Sequence, residues 1–581
     1  MSRLLTVRPS TRLKTARPSA CAGTETMTTT HHQAVEDAAV LIIGAGPAGL
    51  SLAVELGGQG HKCIVVERHD RIGYAPRAKT TNVRTRELMR RWGIAGRLAA
   101  ESPFGVDYPS NVVFATRMNG RELQRFPNGF NCNPARDERY SEHAQWIPQY
   151  KVEAVLKSRA SEMPSVDIRF GTELKEFTDH GDHVTATLRN VASGAETTVN
   201  AAYLVGADGA RSTVRDKLGI KMSGTSPLSH NHNIVFRAPG LAERHKLGPA
   251  VMYWLVNEEV PSVISPLDTG DRWTFGCPKL LDASSDPATL IRLALGLDGD
   301  IDIEILSRDE WTAHQLIADK YSAGRTFLVG DACHLHPPYG GYGMNMGIGD
   351  ALDLGWKLSA VLSGWGGEQL LSSYEIERRQ VHERVIAESV ANHEHTSRRL
   401  VVPGMEDEGA AGDAIRAELS RMLADTKHRE FYTLGVTLGS RYRESPVLAG
   451  ETSAAGDPPD STNYIPLARA GCLAPHAWLS DNTEDRSMGA SLYDHFEPRG
   501  FTLLVTRKEA APAADALVDA AAEQGVPLKL LSPDLPALRD LYGCDYALIR
   551  PDQYIAWCGN SIADAFDLLA RVTGKSLEAV A

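Results

Sequence analysis

No run of about 18 consecutive apolar residues occurs in the 581-residue chain, so the sequence offers no membrane-spanning helix. Cysteine is scarce. Its eight occurrences are never three apart, which excludes a CxxC redox pair and a zinc-ribbon pattern, and eight are too few to staple a chain of this length. Reduced thiols in a cytoplasmic protein are the simpler reading. Basic residues are in deficit: 61 Lys and Arg face 73 Asp and Glu, for a net charge of −12. A nucleic-acid backbone or an anionic bilayer attracts the opposite balance, so neither is expected as a partner. Acid, in turn, is missing before Glu25, where Arg3, Arg8, Arg12, Lys14 and Arg17 are spaced by Ser, Thr and Pro. That segment lacks the apolar centre of a secretory signal. Residues 1–33 therefore read as a disordered basic tail.

Ordered sequence starts with the apolar run Ala39–Ile43, followed by Gly44-Ala45-Gly46-Pro47-Ala48-Gly49, a helical apolar pattern to Leu56, and a second apolar strand ending at Glu67 and Arg68. Strand, Gly-x-Gly-x-x-Gly, helix, strand and acid is a dinucleotide-binding order. Gly44 permits a tight turn, Gly46 lets backbone approach a pyrophosphate, and Gly49 lets helix pack on strand. The helix N-terminus presents unpaired N–H groups to phosphate. Glu67 stands where a carboxylate can accept ribose hydroxyls. The pattern alone does not separate FAD from NAD. No second such motif follows a strand, so a second nucleotide would bind without a Rossmann unit of its own.

Two later motifs narrow the choice. A strand-like run at 201–207 ends in Asp208-Gly209, with Arg211, Ser212 and Arg215 beyond it. Another, 325–330, ends in Asp331, placed to accept from a ribityl hydroxyl. His-Leu-His-Pro-Pro-Tyr-Gly-Gly-Tyr-Gly-Met-Asn follows at 334–345, and then a helical pattern through Leu352, Trp356 and Leu362. So glycine-rich a loop suits backbone lying flat against a ring.

The ordered triplet resembles the single-component FAD-dependent aromatic hydroxylases, the class A flavoprotein monooxygenases typified by para-hydroxybenzoate hydroxylase. Tyr464-Ile465-Pro466, residues 474–479 and residues 541–552 resemble the C-terminal module of the subgroup that includes phenol, 2,4-dichlorophenol and 3-(3-hydroxyphenyl)propionate hydroxylases and angucycline-type polyketide hydroxylases. That module is thioredoxin-like without redox cysteines. The resemblance implies non-covalent FAD, NADPH or NADH as reductant, O2, and transfer of OH from a flavin hydroperoxide to a small phenolic or other electron-rich aromatic substrate in a homo-oligomeric enzyme. It implies FAD contacts at Gly44, Gly46, Pro47, Ala48, Gly49, Glu67, Arg68, Arg77, Gln149, Asp208, Gly209, Asp331, Pro338, Gly341, Gly343, Met344 and Asn345. Pro338 and His336 would lie nearest the flavin, and no metal is implied. Arg237, Tyr253 and Trp254 are candidates for the substrate pocket, with His232, Trp273 and Phe275 near them in sequence. The base that ionises a phenol, whose ordinary pKa is about 10, is not named by any motif. Lys79, where many members have Gly, and Asp353, where Asn is usual, depart from the family pattern.

The competing readings are an FAD-dependent oxidoreductase that epoxidises or otherwise tailors a natural product, and a flavin-fold protein without turnover. The Trp-x-Trp-x-Ile signature of flavin halogenases and the CxxxxC pair of disulfide reductases are both missing. The expected architecture is α/β. A Rossmann-like FAD domain (34–220, with a β-meander, and 321–400) interleaves with a β-sheet substrate domain (221–320). A connector (401–462) then leads to a thioredoxin-like domain (463–581).

Overall fold

The computed structural model describes residues 35–70, 77–279, 286–394, 397–450, 460–479 and 489–575. The basic tail, 1–33, and Pro76 lie outside them.

The first sheet is built on five parallel strands in the order Thr326–Leu328, Glu196–Gly206, Val35–Ile43, Cys63–Glu67, Val166–Phe170. Val40, Leu41, Ile42, Leu204 and Val65 have no exposed surface. Strands covered on both faces need continuous apolar runs rather than alternation, and 39–43 is such a run. Helices Pro47–Gly58 and Gly343–Leu362 pack against each other beside this sheet, with Leu50, Leu52, Leu354 and Leu358 in the shared core. Thr172–Asp179 and Val184–Asn190 form the expected meander, antiparallel to Glu196–Gly206. The three motifs all leave carboxyl ends of neighbouring strands: Gly44 follows Ile43, Asp208 follows Gly206, and Asp331 follows the strand ending at Leu328. In open α/β sheets that edge is where ligands bind.

The second sheet has eight strands, in the order His334–Leu335, Glu304–Ala318, Met222–Arg237, Arg272–Pro278, Ser262–Pro266, Met252–Leu255, Val112–Ala115, Glu122–Phe126. Its middle lies within 221–320, the span expected to hold the substrate sheet. Two features differ from the sequence-based division. Val112–Ala115 and Glu122–Phe126, assigned by position to the FAD domain, join this sheet through the parallel pairing of Val112–Ala115 with Met252–Leu255. That pairing spans about 140 residues and leaves no local trace. The long strand Glu304–Ala318 also escaped the apolar pattern, because six of its first eight residues, including Arg308, Asp309 and Glu310, are polar or exposed.

Alternation sorts the side chains of this sheet onto two faces. Tyr253, Ile264, Trp273 and Phe275 pack on one face with Leu241, Ile291 and Leu295. Trp254, Val263 and Phe114 lie on the other, toward Trp146, Phe130 and Tyr339. Phe114 stacks on Trp254 with ring centroids 5.4 Å apart, a contact worth about 0.5–1.5 kcal/mol beyond its buried area. The connector does more than link. It carries a helix, Ala410–Phe431, whose last residue, Phe431, inserts between Phe114, Phe126 and Phe130.

The C-terminal module carries a four-stranded mixed sheet in the order Leu528–Leu531, Phe501–Val505, Tyr546–Ile549, Ile555–Gly559, with helices Asp515–Glu523 and Ala565–Val572 packed together. Among the described residues no helix is long and apolar enough to cross a membrane.

Candidate active site

The turn after Val35–Ile43 is as tight as its glycines require. A Cβ on Gly44 (φ +109°) would meet Ala207 O at 2.3 Å, and one on Gly49 would meet Gly44 O at 2.0 Å. A Cβ on Gly46 would meet nothing within 4 Å. Gly46 caps the helix beginning at Pro47 with no side-chain hydrogen bond, so the first-turn N–H groups face open space. That is the donor set a pyrophosphate needs. Glu67 closes one end: its Oε2 accepts the Ala45 N–H at 3.1 Å and its Oε1 the His69 N–H at 3.0 Å. Each oxygen keeps a further lone pair for a ribose hydroxyl. Arg68 and Arg77 are exposed.

Asp331 shows the shape of the space beyond. Its side chain is exposed, yet burial among surrounding protein raises its pKa, against the pull of His334 and Arg77. A carboxylate enclosed by protein but open to solvent lines an internal cleft. Pro338 is likewise exposed, while Gly341 (φ +69°) touches Thr80 and Phe130 at the distance of its missing Cβ. These features fit a flat, elongated, hydroxyl-bearing cofactor: free helix N–H groups, a carboxylate at either end and a glycine-lined wall between.

Other motif residues hold the walls together. Asn345 accepts the Asn82 N–H at 3.0 Å and donates to Thr80 O (3.0 Å) and Gly341 O (2.7 Å), clamping the loop after Arg77 to the glycine loop. Gln149 accepts the Ala78 N–H at 3.3 Å and donates to Glu153 at 2.8 Å. Asp208 is spent on its own turn, accepting from Ser212 Oγ (2.5 Å) and Val214 N (3.1 Å). Gly209 (φ +79°) supplies the left-handed step after it. Arg215 then donates to Ala210 O and Ala332 O, joining the Asp-Gly turn to the loop of Asp331. Ala48 packs against Gly330 and Gly347, and Gly343 and Met344 open the helix that continues from the glycine loop. Burial takes His336 down to about 4, so it is a neutral ring, its Nδ1 held to Pro337 O at 2.9 Å.

The pocket candidates divide. Trp254 is on the face toward the glycine loop, its ring 6.0 Å from that of Tyr339. Tyr253 points to the opposite face and donates to Gly248 O at 2.6 Å, and Trp273, Phe275 and His232 lie on that side as well. Arg237 is partly exposed and paired with Glu304 (3.0 Å) and Asp271 (3.4 Å). The alternation of a strand decides this, and it places neighbours in sequence on opposite faces.

Sequence reading missed the group behind the glycine loop. Asp350, fully buried on the helix after it, accepts from Gly330 N (3.0 Å) and Arg378 Nε (2.8 Å), and its oxygens lie 2.9 and 2.8 Å from His334 Nε2 and His382 Nε2. A carboxylate on the buried face of an otherwise apolar helix was the available signal.

A model of the FAD binding domain family matches residues 37–389, and one of the aromatic-ring hydroxylase C-terminal domain matches 468–576. A 4-methyl-5-nitrocatechol 5-monooxygenase from Burkholderia sp. is 34% identical over 566 residues, covering 90% of this chain and 94% of its own. The structure of RebC with bound 7-carboxy-K252c matches with a TM-score of 0.85 at 34% identity, over 94% of this chain and 100% of that one. A ternary complex of aklavinone-11 hydroxylase with FAD and aklavinone matches at 0.78 and 31% identity, over 93% and 99%.

Proposed function

The chain belongs to the FAD-binding aromatic-ring hydroxylases, and from that premise we propose that it uses NADPH or NADH and dioxygen to place one hydroxyl on a small aromatic ring already bearing a phenolic oxygen. One oxygen atom enters the ring and the other leaves as water, with the reduced nicotinamide supplying the two electrons. FAD, when bound, supplies the redox chemistry with dioxygen. The residues fitted to hold it are Gly44, Gly46, Gly49 and Glu67 at the nucleotide end and Asp331, Pro338, Gly341 and Asn345 at the ring end. The single observation that carries the reading is the aromatic cluster between the glycine loop and the near face of the second sheet, with Trp254 6.0 Å from Tyr339 and Trp146 5.6 Å from Phe130, beside which the substrate would occupy a chamber. Aromatic walls bind a flat ring and keep water from the reacting atoms. Such a substrate is in keeping with the 4-methyl-5-nitrocatechol and aklavinone named for two relatives.

The FAD-loaded protein, given NADPH, 18O-labelled dioxygen and a panel of catechols and hydroxyanthraquinones, should release a hydroxylated product carrying one 18O atom. Product oxygen drawn from water, or nicotinamide oxidation that yields only hydrogen peroxide across the panel, would defeat the reading.

A further inference from the structure

A phenol-hydroxylating site needs a group to take the phenolic proton, and the motif residues do not provide one. His336 has a free Nε2, but burial takes its pKa down to about 4 and leaves it a weak base; Asn345 is an amide, and Asp208 is committed to its turn. We propose that Lys79 is a catalytic residue of this site: as a free amine it takes the proton of the substrate's phenolic oxygen, and as the resulting ammonium it holds the phenolate against the chamber wall. The O–H bond breaks, an N–H bond forms at Nζ, the electron pair stays on oxygen, and no oxidant is consumed. The assignment rests on the hydroxylase reading above and deepens it, because it requires a ring with an ionisable oxygen.

The backbone around Lys79 is pinned to the cofactor side of the chamber. Its carbonyl accepts the Ile147 N–H at 2.6 Å, the next carbonyl, of Thr80, accepts from Asn345, and Thr80 lies against Gly341. The side chain crosses to the opposite wall, where Nζ lies 6.0 Å from the Trp146 ring centroid and donates to Thr274 Oγ1 at 2.6 Å. Thr274 is on the near face of the second sheet, since its strand neighbours Trp273 and Phe275 both point away. Its cross-strand partner Ser265 shares that face with Val263, which is paired in turn with Trp254. Nζ therefore reaches the wall that a ring lying on the glycine loop would face.

Among the described residues Lys79 has no carboxylate partner. Protein surrounds it, yet the residue keeps partial exposure, consistent with a position at the edge of the space that Asp331 opens on. Burial without a counter-charge takes its pKa down to about 7, leaving much of it as free amine near neutrality. The charged and titratable groups around it are already engaged or lie outward. Arg272, two residues from Thr274, is bound to Asp268; Glu153 is bonded to Gln149; Arg77 is exposed; Asp331 stands at the glycine loop; and Tyr150 is half-buried. A phenol entering beside the amine lets both groups ionise together, each removing the penalty that burial sets on the other's charge.

The test uses FAD-loaded protein and 1,4-dihydroxyanthraquinone, a fused-ring phenol whose colour changes on ionisation, with flavin absorbance as the folding control for each variant. At pH 7 the wild type should bind the dye as its phenolate. Lys79→Met should bind it neutral and lose at least a hundredfold in kcat/KM for phenols. Lys79→Arg should keep the bound phenolate but lose the rise of kcat/KM through about pH 7 that deprotonation of Lys79 gives the wild type. A dye spectrum unchanged by wild-type protein, or one shifted equally by wild type and Lys79→Met, overturns the assignment. Hydroxylated product at wild-type rates from Lys79→Met also overturns it while leaving the hydroxylase reading intact. Dye ionised by the wild type alone, with no phenol hydroxylated, supports the lysine and counts against the hydroxylase reading.

Discussion

Asp350 has no exposed surface, yet an amide, a guanidinium and two imidazoles converge on its two oxygens. Burial pushes its pKa up, and His382, Arg378 and His334 outweigh that and hold it well below the ordinary carboxylate range. Because the folded value is depressed, the stability it confers is fully present above the unfolded pKa of about 3.9 and is lost only as pH falls toward the folded value. Across neutral pH Asp350 is thus a fixed charge that sets the loop of Gly330 and Asp331. Asp350→Asn leaves Arg378 buried without its counter-charge, and breaking such a pair costs about 3–5 kcal/mol. Flavin fluorescence followed on heating should show FAD released at a clearly lower temperature than in the wild type. An unchanged release temperature between pH 6 and 8 would show that the cluster does not hold the loop.

At the scale of the element, the first strand, turn and helix separate two roles that one glycine motif combines. Gly46 is extended (φ −78°, ψ −176°), and its missing Cβ would meet no protein atom within 4 Å. Gly46→Ala should therefore fold with a stability within about 0.5 kcal/mol of wild type, while its methyl group occupies the space at the helix N-terminus and weakens FAD at least tenfold. Gly49→Ala drives a Cβ to 2.0 Å from Gly44 O and should damage the fold itself. Urea unfolding of apoprotein, set beside FAD titration, distinguishes the two, and equal loss of affinity without loss of stability in both variants would refute the division. This element was readable from sequence because every requirement on it is local: an apolar run, a turn, a helix start and an acid lie within 30 residues. Trp254 and Tyr253 mark the limit of such reading. Both are aromatic and adjacent, and only the register against Val263 and Phe114 says which one faces the cofactor side. Lys79 was noticeable as a departure from the family pattern, but its reach to Thr274, 195 residues away, depends on the packing of two sheets.

Across the whole molecule, the C-terminal module is joined to the cofactor domain by charge as well as by apolar contact. Arg550, wholly buried, donates to both oxygens of Glu377 at 2.7 and 2.9 Å, to Asp353 at 3.1 Å and to Asp552, and lies over the rings of Trp356 and Tyr442. Lys357 bonds Asp353 and Glu377 from the other side. Arg84 adds bonds from the helix Val83–Arg91 to Gln553 Oε1 and Asp552 O. The unusual Asp353 thereby has a role, as a third carboxylate facing two cations, and burial together with the charge of Glu377 raises its pKa despite Lys357 and Arg550. A raised folded pKa means the folded protein binds the proton more tightly than the unfolded chain. Asp353 therefore lowers stability as pH climbs above the unfolded value of about 3.9. Asp353→Asn stands in for the neutral acid, removes that slope and should be at least as stable as the wild type at pH 8. Arg550→Met leaves three buried carboxylates facing Lys357 alone and should cost about 3–5 kcal/mol. Because Arg550 belongs to the module and Glu377 to the cofactor domain, this loss should appear as separate unfolding of the two parts in calorimetry, where the wild type should unfold in one transition. A single transition in Arg550→Met, at the wild-type temperature, would mean that apolar packing alone couples the module to the cofactor domain.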